Sequence, residues 1–174
     1  MSEAKTGDAF ITHELDEAIA IQRAIVDAET KLGRDHPRAD VKKLIKDTLE
    51  TDRKFLARLE KLGRPKGATG KVEEVAESLE QLMTQTAENA AEAKSEAYEA
   101  HAVLLNLKRK QQDSAAAMVR IARAVKDDEM RDAAIEFERE SKSSARELAA
   151  ALAELAVEIA TTNVRTSRAQ AARA

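Results

Sequence analysis

The chain has 174 residues, carries a formal net charge of −3 and contains neither cysteine nor tryptophan. This length is sufficient for one domain with a hydrophobic core, and the absence of cysteine excludes disulfides, thiolate metal sites and cysteine nucleophiles. The small excess of acidic residues argues against general nucleic-acid binding, which depends on a basic surface.

The composition predicts an all-α protein. Charged residues make up 35% of the chain and aromatic residues 2%, with only five Gly and two Pro to interrupt helices. Apolar residues, 43% of the total, recur with helical periodicity, which argues against disorder. No stretch approaches the roughly 20 apolar residues of a membrane span, and the N-terminus lacks a secretory pattern. We therefore expect a cytoplasmic protein without a membrane span.

Glycine and proline divide the first half of the chain. A flexible N-terminus is predicted over 1–9, followed by a first helix over about 10–32 that ends at Gly33. A second helix is predicted over about 37–62. The glycine-rich stretch 63–70 then predicts a linker.

The second half is expected to contain two helices. No Gly or Pro interrupts 72–125, but one helix of that length would be about 80 Å long. A kink or break is therefore expected near 108–114, where apolar residues are missing and Asp113 is a candidate cap. A final helix is predicted over about 128–160, with Asp127 in its acidic, capping start.

Two regions are candidates for contacts with other proteins. The third predicted helix is rich in alanine from Ala87 to Ala102, which suits either close packing within the bundle or an interface. The basic tail, 161–174, is either a frayed terminus or a segment that docks on an acidic surface. Its basic side chains are Arg165, Arg168 and Arg173. We expect a protein partner or a homo-oligomer.

Helices joined by short connections lie antiparallel, so two hairpins with a longer crossover are expected. The hairpins resemble each other: LETDRKFLARLEKL (49–62) parallels ERESKSSARELAAAL (138–152) in apolar phase and in Ala and Arg placement. The pattern, with an acidic turn before a long final helix in ARAVKDDEMRDAAIEFERESKSSARELAAAL, resembles the ferritin-like superfamily, including its rubrerythrin-like and stress-associated members. The resemblance covers roughly 10–160 and implies an antiparallel four-helix bundle.

The resemblance also implies where a metal centre would lie. Ferritin-like proteins bind two metal ions with one Glu from each of two helices and a Glu-x-x-His motif from each of the others. In the second helix the motif falls on Asp52 and Phe55, so that phenylalanine stands in place of histidine. In the last helix the matching positions are Ser141 and Ser144, and neither is a strong ligand.

The other two helices weaken the implied site further. The first helix offers Gln22 level with Asp52, and Glu29 is expected nearer the loop, roughly 10–20 Å along the axis. The third helix offers Lys108, whose positive charge opposes metal binding. The resemblance therefore implies a degenerate metal site with no cofactor, and the alternative is a single iron or manganese ion.

Asp52 is the main anomaly, because it interrupts the apolar stripe of the second helix. It is either a remaining metal ligand or a buried polar residue that pairs with Gln22, Thr48, Lys108 or a serine of the last helix. The residues predicted to form a buried polar core are Gln22, Glu29, Thr48, Asp52, His101, Lys108, Ser141 and Ser144.

The histidines and serines have alternative interpretations. His101 lies on an apolar face and is either a core residue or a metal or haem ligand, whereas His13 and His36 are expected on an outer face and in a turn. Ser141 to Ser144 with the lysine between them resemble a nucleophile motif, but serines within a helix usually bond to the preceding turn. Because no oxyanion donor accompanies them, no catalytic residue is predicted.

The function predicted from these observations is a non-catalytic ferritin-like bundle that acts as a structural or protein-interaction component. A role in stress response or in a larger assembly fits this interpretation. The alternative is a ferritin-like protein that binds iron or manganese at a reduced site or at an oligomer interface.

Overall fold

The computed structural model describes residues 6–71 and 90–171, with side chains described for 6–71 and 94–162. Within these residues the chain forms four α-helices and no strand, which confirms the all-α four-helix prediction. The helices are α1 (Asp8–Asp35), α2 (Ala39–Gly63), α3 (Ala90–Val125) and α4 (Asp128–Ala171). A short 3-10 turn, Arg64–Lys66, follows α2. The predicted helical stretch over 72–89 lies outside the described residues.

Ion pairs and short connections establish the direction of each helix. Short connections join α1 to α2 and α3 to α4, and both pairs pack antiparallel. The helix α4 is also antiparallel to α2, because Arg38 before α2 contacts Glu154, whereas Lys61 near its end contacts Glu129. Since both α2 and α3 are antiparallel to α4, they run in the same direction. The end of α2 and the start of α3 therefore lie at opposite ends of the bundle.

The core consists of two apolar clusters separated by a polar layer. One cluster, nearer the α1–α2 connection, includes Ile45 and Leu104. The other, nearer the α3–α4 connection, includes Phe55 and Phe137, whose rings meet edge to face with centroids 4.7 Å apart. Burial of these side chains stabilises the bundle by about 2 kcal/mol for each large apolar residue.

Both ends of α1 differ from the prediction. The helix begins at Asp8, so the last residues of the expected flexible N-terminus are helical. At the other end Gly33 does not stop the helix, which continues to Asp35, and the backbone N–H of His36 donates to the Leu32 carbonyl at 2.9 Å. A Cβ at Gly33 would lie 3.4 Å from Ile45 Cγ2. This is an ordinary contact distance, so α2 packs against this position without requiring glycine there.

The predicted break near 108–114 is wrong, because α3 continues as one helix through this segment. Lys108 and Gln111 are buried there and have polar partners on other helices. These two polar side chains occupy the inward face of α3 in place of apolar ones, and the helix therefore continues through the segment. Asp113, which was a candidate cap, lies inside the helix.

The start of α4 agrees with the prediction and its end does not. The Asp127 carboxylate accepts a hydrogen bond from the Met130 backbone N–H at 2.9 Å, so Asp127 caps the helix as expected. The predicted end at residue 160 is wrong, since α4 continues to Ala171 through a stretch without Gly or Pro. Most of the predicted tail is therefore helical. The side chains of Arg165 and Arg168, and Arg173 altogether, lie outside the description.

The predicted linker 63–70 is fastened to α1. Asp16 Oδ1 accepts hydrogen bonds from the backbone N–H groups of Thr69 at 2.5 Å and Gly70 at 2.8 Å. Arg23 donates to the Thr69 carbonyl at 2.9 Å. Gly70 has a φ of +69°, and a Cβ there would lie 2.4 Å from Ile19 Cγ2, so only glycine fits. The chain leaving α2 is thus directed back along α1.

Along the described helices, no stretch is both long and apolar enough to cross a membrane.

Candidate functional site

The polar layer contains a hydrogen-bonded group of side chains from α1, α2 and α3, which we call the central network. Its members are Gln22, Glu29, Thr48, Asp52, Lys108 and Gln111. All are buried except Thr48, which is half-buried. The network crosses the bundle between the two apolar clusters, where polar groups must find partners within the protein.

Lys108 on α3 is the only cation of the central network and contacts both of its carboxylates. Its Nζ lies 2.6 Å from Glu29 Oε1 on α1 and also contacts Asp52 Oδ2 on α2. The side chains of Lys108 and Glu29 are 1% and 0% exposed. Three helices are therefore linked through one buried ammonium group.

Two glutamines extend the network. Gln22 Nε2 donates to Asp52 Oδ1 at 2.8 Å and to the Asp52 backbone carbonyl at 3.0 Å. Gln22 Oε1 accepts from Gln111 Nε2 at 3.1 Å, and the same Nε2 lies 3.2 Å from the Ala18 carbonyl. Asp52 consequently has partners on both of its oxygens, as the buried-polar interpretation of this residue expected.

Glu29 has a different environment from Asp52. Thr48 Oγ1 donates to Glu29 Oε1 at 2.7 Å, but Glu29 Oε2 is buried and has no hydrogen-bond partner among the described groups. Burial raises the pKa of Glu29 to about 7, and the charge of Asp52 adds to the rise, while Lys108 and Thr48 act against it. One ammonium faces two carboxylates, so a proton on Glu29 would balance the buried charge.

The structure corrects the expected isolation of Glu29 from Asp52. Glu29 is two turns along α1 from Gln22, about 10 Å at 1.5 Å per residue, as the helical geometry requires. The side chains of Glu29 and Asp52 nevertheless converge on one atom, the Nζ of Lys108, which contacts both carboxylates. Thr48, expected as a partner of Asp52, bonds Glu29 instead.

The remaining predicted site positions do not join the central network. Ser141 is buried and Ser144 is half-buried, with Ser144 Oγ donating to the Ser141 carbonyl at 3.2 Å within α4. Ser143 Oγ is 3.4 Å from Glu147 Oε1, one turn further along. Phe55 packs against Phe137. These serines therefore bond locally within their own helix, as expected from their position.

A polar groove of about 220 Å³ lies between α2 and α4, beside the network. Its lining includes the carboxylates of Asp47, Asp52, Glu140 and Glu147, together with four hydroxyl groups. Small side chains on α4 leave this space opposite α2. Thr48 and Asp52 thus belong to both the central network and the groove.

His101 and His36 form a second buried site at the end of the bundle near the α1–α2 connection. Their ring centroids are 5.9 Å apart, with the planes at 76°. Both residues are almost inaccessible, at 0% and 1% exposure. The sequence predicted burial for His101 but not for His36. Gln111 was missed as well, although it continues the helical phase of Leu104 and Lys108.

Among the described residues, no group of three or more His, Asp or Glu side chains is arranged to hold a metal ion. The donor set of the central network, with two carboxylates and an ammonium group between them, does not fit a dinuclear centre. No family model, curated protein or solved structure matches this chain. The chemistry of the site is therefore inferred from its geometry.

Proposed function

We propose that this protein is a non-catalytic, ferritin-like helical bundle that serves as a structural or protein-interaction component. The observation that carries this proposal is the position of the Lys108 ammonium group between Glu29 and Asp52. A protein cation occupies the space between the carboxylates that would otherwise bind a metal ion. The central network then holds three helices together and does not support metal chemistry.

The direction of the helices supports the ferritin-like part of the proposal. Two antiparallel hairpins are present, and α2 and α3 run in the same direction, so one long crossover has to connect them. Ferritin-like bundles have one such crossover, whereas simple up-and-down bundles have none.

The serines of α4 support the non-catalytic part. A serine nucleophile needs an adjacent base that takes its proton and a donor that stabilises the oxyanion. Ser144 Oγ instead donates to a carbonyl of its own helix, and Ser143 lies beside a glutamate. Neither hydroxyl has a histidine or lysine as its hydrogen-bond partner in these contacts.

The length of α4 supports an interaction role. This helix has 44 residues, against 25 for α2, which corresponds to about 66 Å and about 37 Å. The Arg38–Glu154 pair shows that Glu154 of α4 lies beside the start of α2. Because α4 continues from there to Ala171, it extends well beyond α2. Val157, near this level, is 63% exposed. The extension offers a surface for a second copy or another protein.

Metal analysis with an oxidation assay tests the first part of the proposal. The full chain is incubated with iron(II) or manganese(II), desalted and analysed for bound metal, and iron oxidation is compared with buffer. We expect clearly less than one ion per chain and no added oxidation. Stoichiometric metal that disappears in Asp52→Ala would contradict the proposal and favour the alternative.

The interaction role is tested by sedimentation of the full chain and of a chain that ends at residue 160. We expect the full chain to self-associate or to bind a partner, and the shortened chain to do so more weakly. Equal association of the two would place the interface elsewhere on the bundle. A full chain that stays monomeric and binds no protein would contradict the role.

A metal-binding function is the second candidate, and the groove between α2 and α4 is where it would be placed, although no three of the described carboxylates that line it are grouped to hold an ion. Four carboxylates and four hydroxyl groups line this groove, and hard divalent cations prefer oxygen ligands. One of these carboxylates, Asp52, is engaged by Lys108 and Gln22, which reduces its availability. Weak binding that Asp47→Asn and Glu140→Gln both reduce would identify this groove as the site.

A further inference from the structure

The two buried histidines, His36 and His101, contact each other, and we call them the histidine pair. We propose that His36 and His101 form an acid-sensitive latch. In their neutral form they hold the α1–α2 connection against α3, and protonation of either imidazole releases this end of the bundle. The inference does not depend on the proposed function.

His36 makes two hydrogen bonds, and the one that its ring accepts requires the neutral imidazole. Its backbone N–H donates to the Leu32 carbonyl of α1 at 2.9 Å. Its Nδ1 accepts a hydrogen bond from the backbone N–H of Arg38 at 3.1 Å, just before α2 begins. An Nδ1 that accepts carries no proton, so the ring proton is on Nε2. Protonation of Nδ1 would set two N–H donors against each other and break this contact.

Burial destabilises an imidazolium at either position more than the neighbouring groups stabilise it. Among the described groups, His36 Nε2 and both ring nitrogens of His101 are buried without a hydrogen-bond partner of good geometry. On α4 the Leu148 carbonyl raises the pKa of His101, but burial has the larger effect and lowers it. A charged ring at this position would therefore lack both water and a counter-ion.

The charged groups that act on the pair come from the start of α2 and from α4. Arg38 and Lys42 are cations and oppose protonation, whereas Asp40 favours it. Arg38 already binds both nearby carboxylates, Asp40 at 2.5 Å and Glu154 of α4 at 2.9 Å. On α3 the ring of His101 itself meets that of His36, and the Leu32 carbonyl of α1 bonds the backbone N–H of His36 and not its ring. The carboxylates within reach are thus engaged by Arg38.

The shifts of the pKa values agree with this geometry. Burial lowers the pKa of His36, and burial together with the charge of His36 lowers the pKa of His101 to about 4. A lowered histidine pKa means that the opened state binds more protons than the closed state as the pH falls below 6.5. Through His101 alone, the equilibrium for opening at pH 5 is expected to rise about 20-fold over its value at pH 7.

The primary experiment uses the unmodified full chain. Amide hydrogen exchange is measured at pH 7 and pH 5 and expressed as protection factors, with the imidazole signals followed by NMR. We expect protection of the hydrogen-bonded amides of His36, Arg38 and Lys42 to fall about 20-fold or more, while the amides at Met130 and Arg131 keep theirs. Unchanged protection of these three amides, or imidazoles that titrate near pH 6.5 in the closed bundle, would overturn the inference.

Four variants assign the effect to the pair. His36→Asn keeps an acceptor for the Arg38 N–H but cannot be protonated, and His101→Leu fills the apolar site without a titratable group. We expect His101→Leu to lose the 20-fold part that His101 supplies, His36→Asn to keep most of that part, and the double variant to lose the acid-induced opening, whereas the control His13→Asn retains all of it. An unchanged 20-fold rise in His101→Leu or in the double variant would overturn the latch. If neither variant folds, the measurement on the unmodified chain decides.

Discussion

The ammonium group of Lys108 on α3 lies 2.6 Å from the carboxylate of Glu29 on α1, and both side chains are closed to solvent. Burial of a charge is costly unless it is paired, and a buried pair is more sensitive to the loss of one partner than to the loss of both. The central network therefore makes predictions that differ from those of surface ion pairs.

Lys108→Met is expected to destabilise the protein by about 3 to 5 kcal/mol, because it leaves two carboxylates buried without their cation. Urea unfolding at pH 7 measures the loss. The matched control is Lys110→Met two residues away, whose half-exposed Lys110 pairs with Glu17 at 2.6 Å. That control should cost less than about 1 kcal/mol. Similar losses in the two variants would show that Lys108 is not a buried partner.

Glu29→Gln is expected to change the pH dependence of stability. The pKa of Glu29 is raised to about 7 in the folded protein against an ordinary 4.5, so the folded state holds this proton more tightly. Its contribution is complete below pH 4.5 and is lost as the pH rises through 7, by on the order of 3 kcal/mol.

Unfolding free energies at pH 5 and pH 8 provide the measurement for Glu29. The histidine pair acts in the opposite direction in both proteins, so the variant is compared with the unmodified chain. From pH 5 to pH 8 the unfolding free energy of the unmodified chain should fall relative to that of Glu29→Gln by on the order of 2 kcal/mol. The control Glu50→Gln removes an exposed glutamate that pairs with Lys54 and should follow the unmodified chain. A Glu29→Gln profile that follows the unmodified protein would show that Glu29 does not titrate in this range.

Replacement of all three charges together should be tolerated better than replacement of one. The variant Glu29→Leu, Asp52→Leu, Lys108→Met leaves no unpaired charge, and such exchanges range from neutral to stabilising by about 1 to 4 kcal/mol. Its unfolding free energy should exceed that of Lys108→Met. If the triple variant is the less stable of the two, the hydrogen bonds to Gln22 and Thr48 outweigh the charges.

Gly70→Ala tests the attachment of the segment after α2. A Cβ at this position would lie 2.4 Å from Ile19 Cγ2, and the φ of +69° adds backbone strain. We expect a loss of about 2 to 4 kcal/mol. Gly67→Ala is the control, since its φ is +78° but no atom lies within 4 Å of the new Cβ. It should cost about 1 kcal/mol in thermal or urea unfolding. Equal losses would contradict close packing at Gly70.

The predicted site was partly correct, and the errors have identifiable causes. Periodicity placed Gln22, Asp52 and Lys108 on inward faces, and the structure brings these three together. Glu29 was predicted at another level because levels were counted along the backbone, without the reach of the side chains that converge on Lys108 Nζ. His36 was missed because its burial depends on how a short turn folds against α3.

The amino-acid sequence by itself determined the all-α class, the four helices and the cap at Asp127, because helical periodicity and capping are local properties of the chain. It also determined which faces are apolar, and so that Gln22, Asp52, His101 and Lys108 had to be buried. Only the tertiary structure decided that Lys108 pairs with Glu29 as well as Asp52, and that His36 meets His101. Such pairings join residues far apart in sequence, and their distances depend on helix packing and side-chain reach, which no local pattern contains.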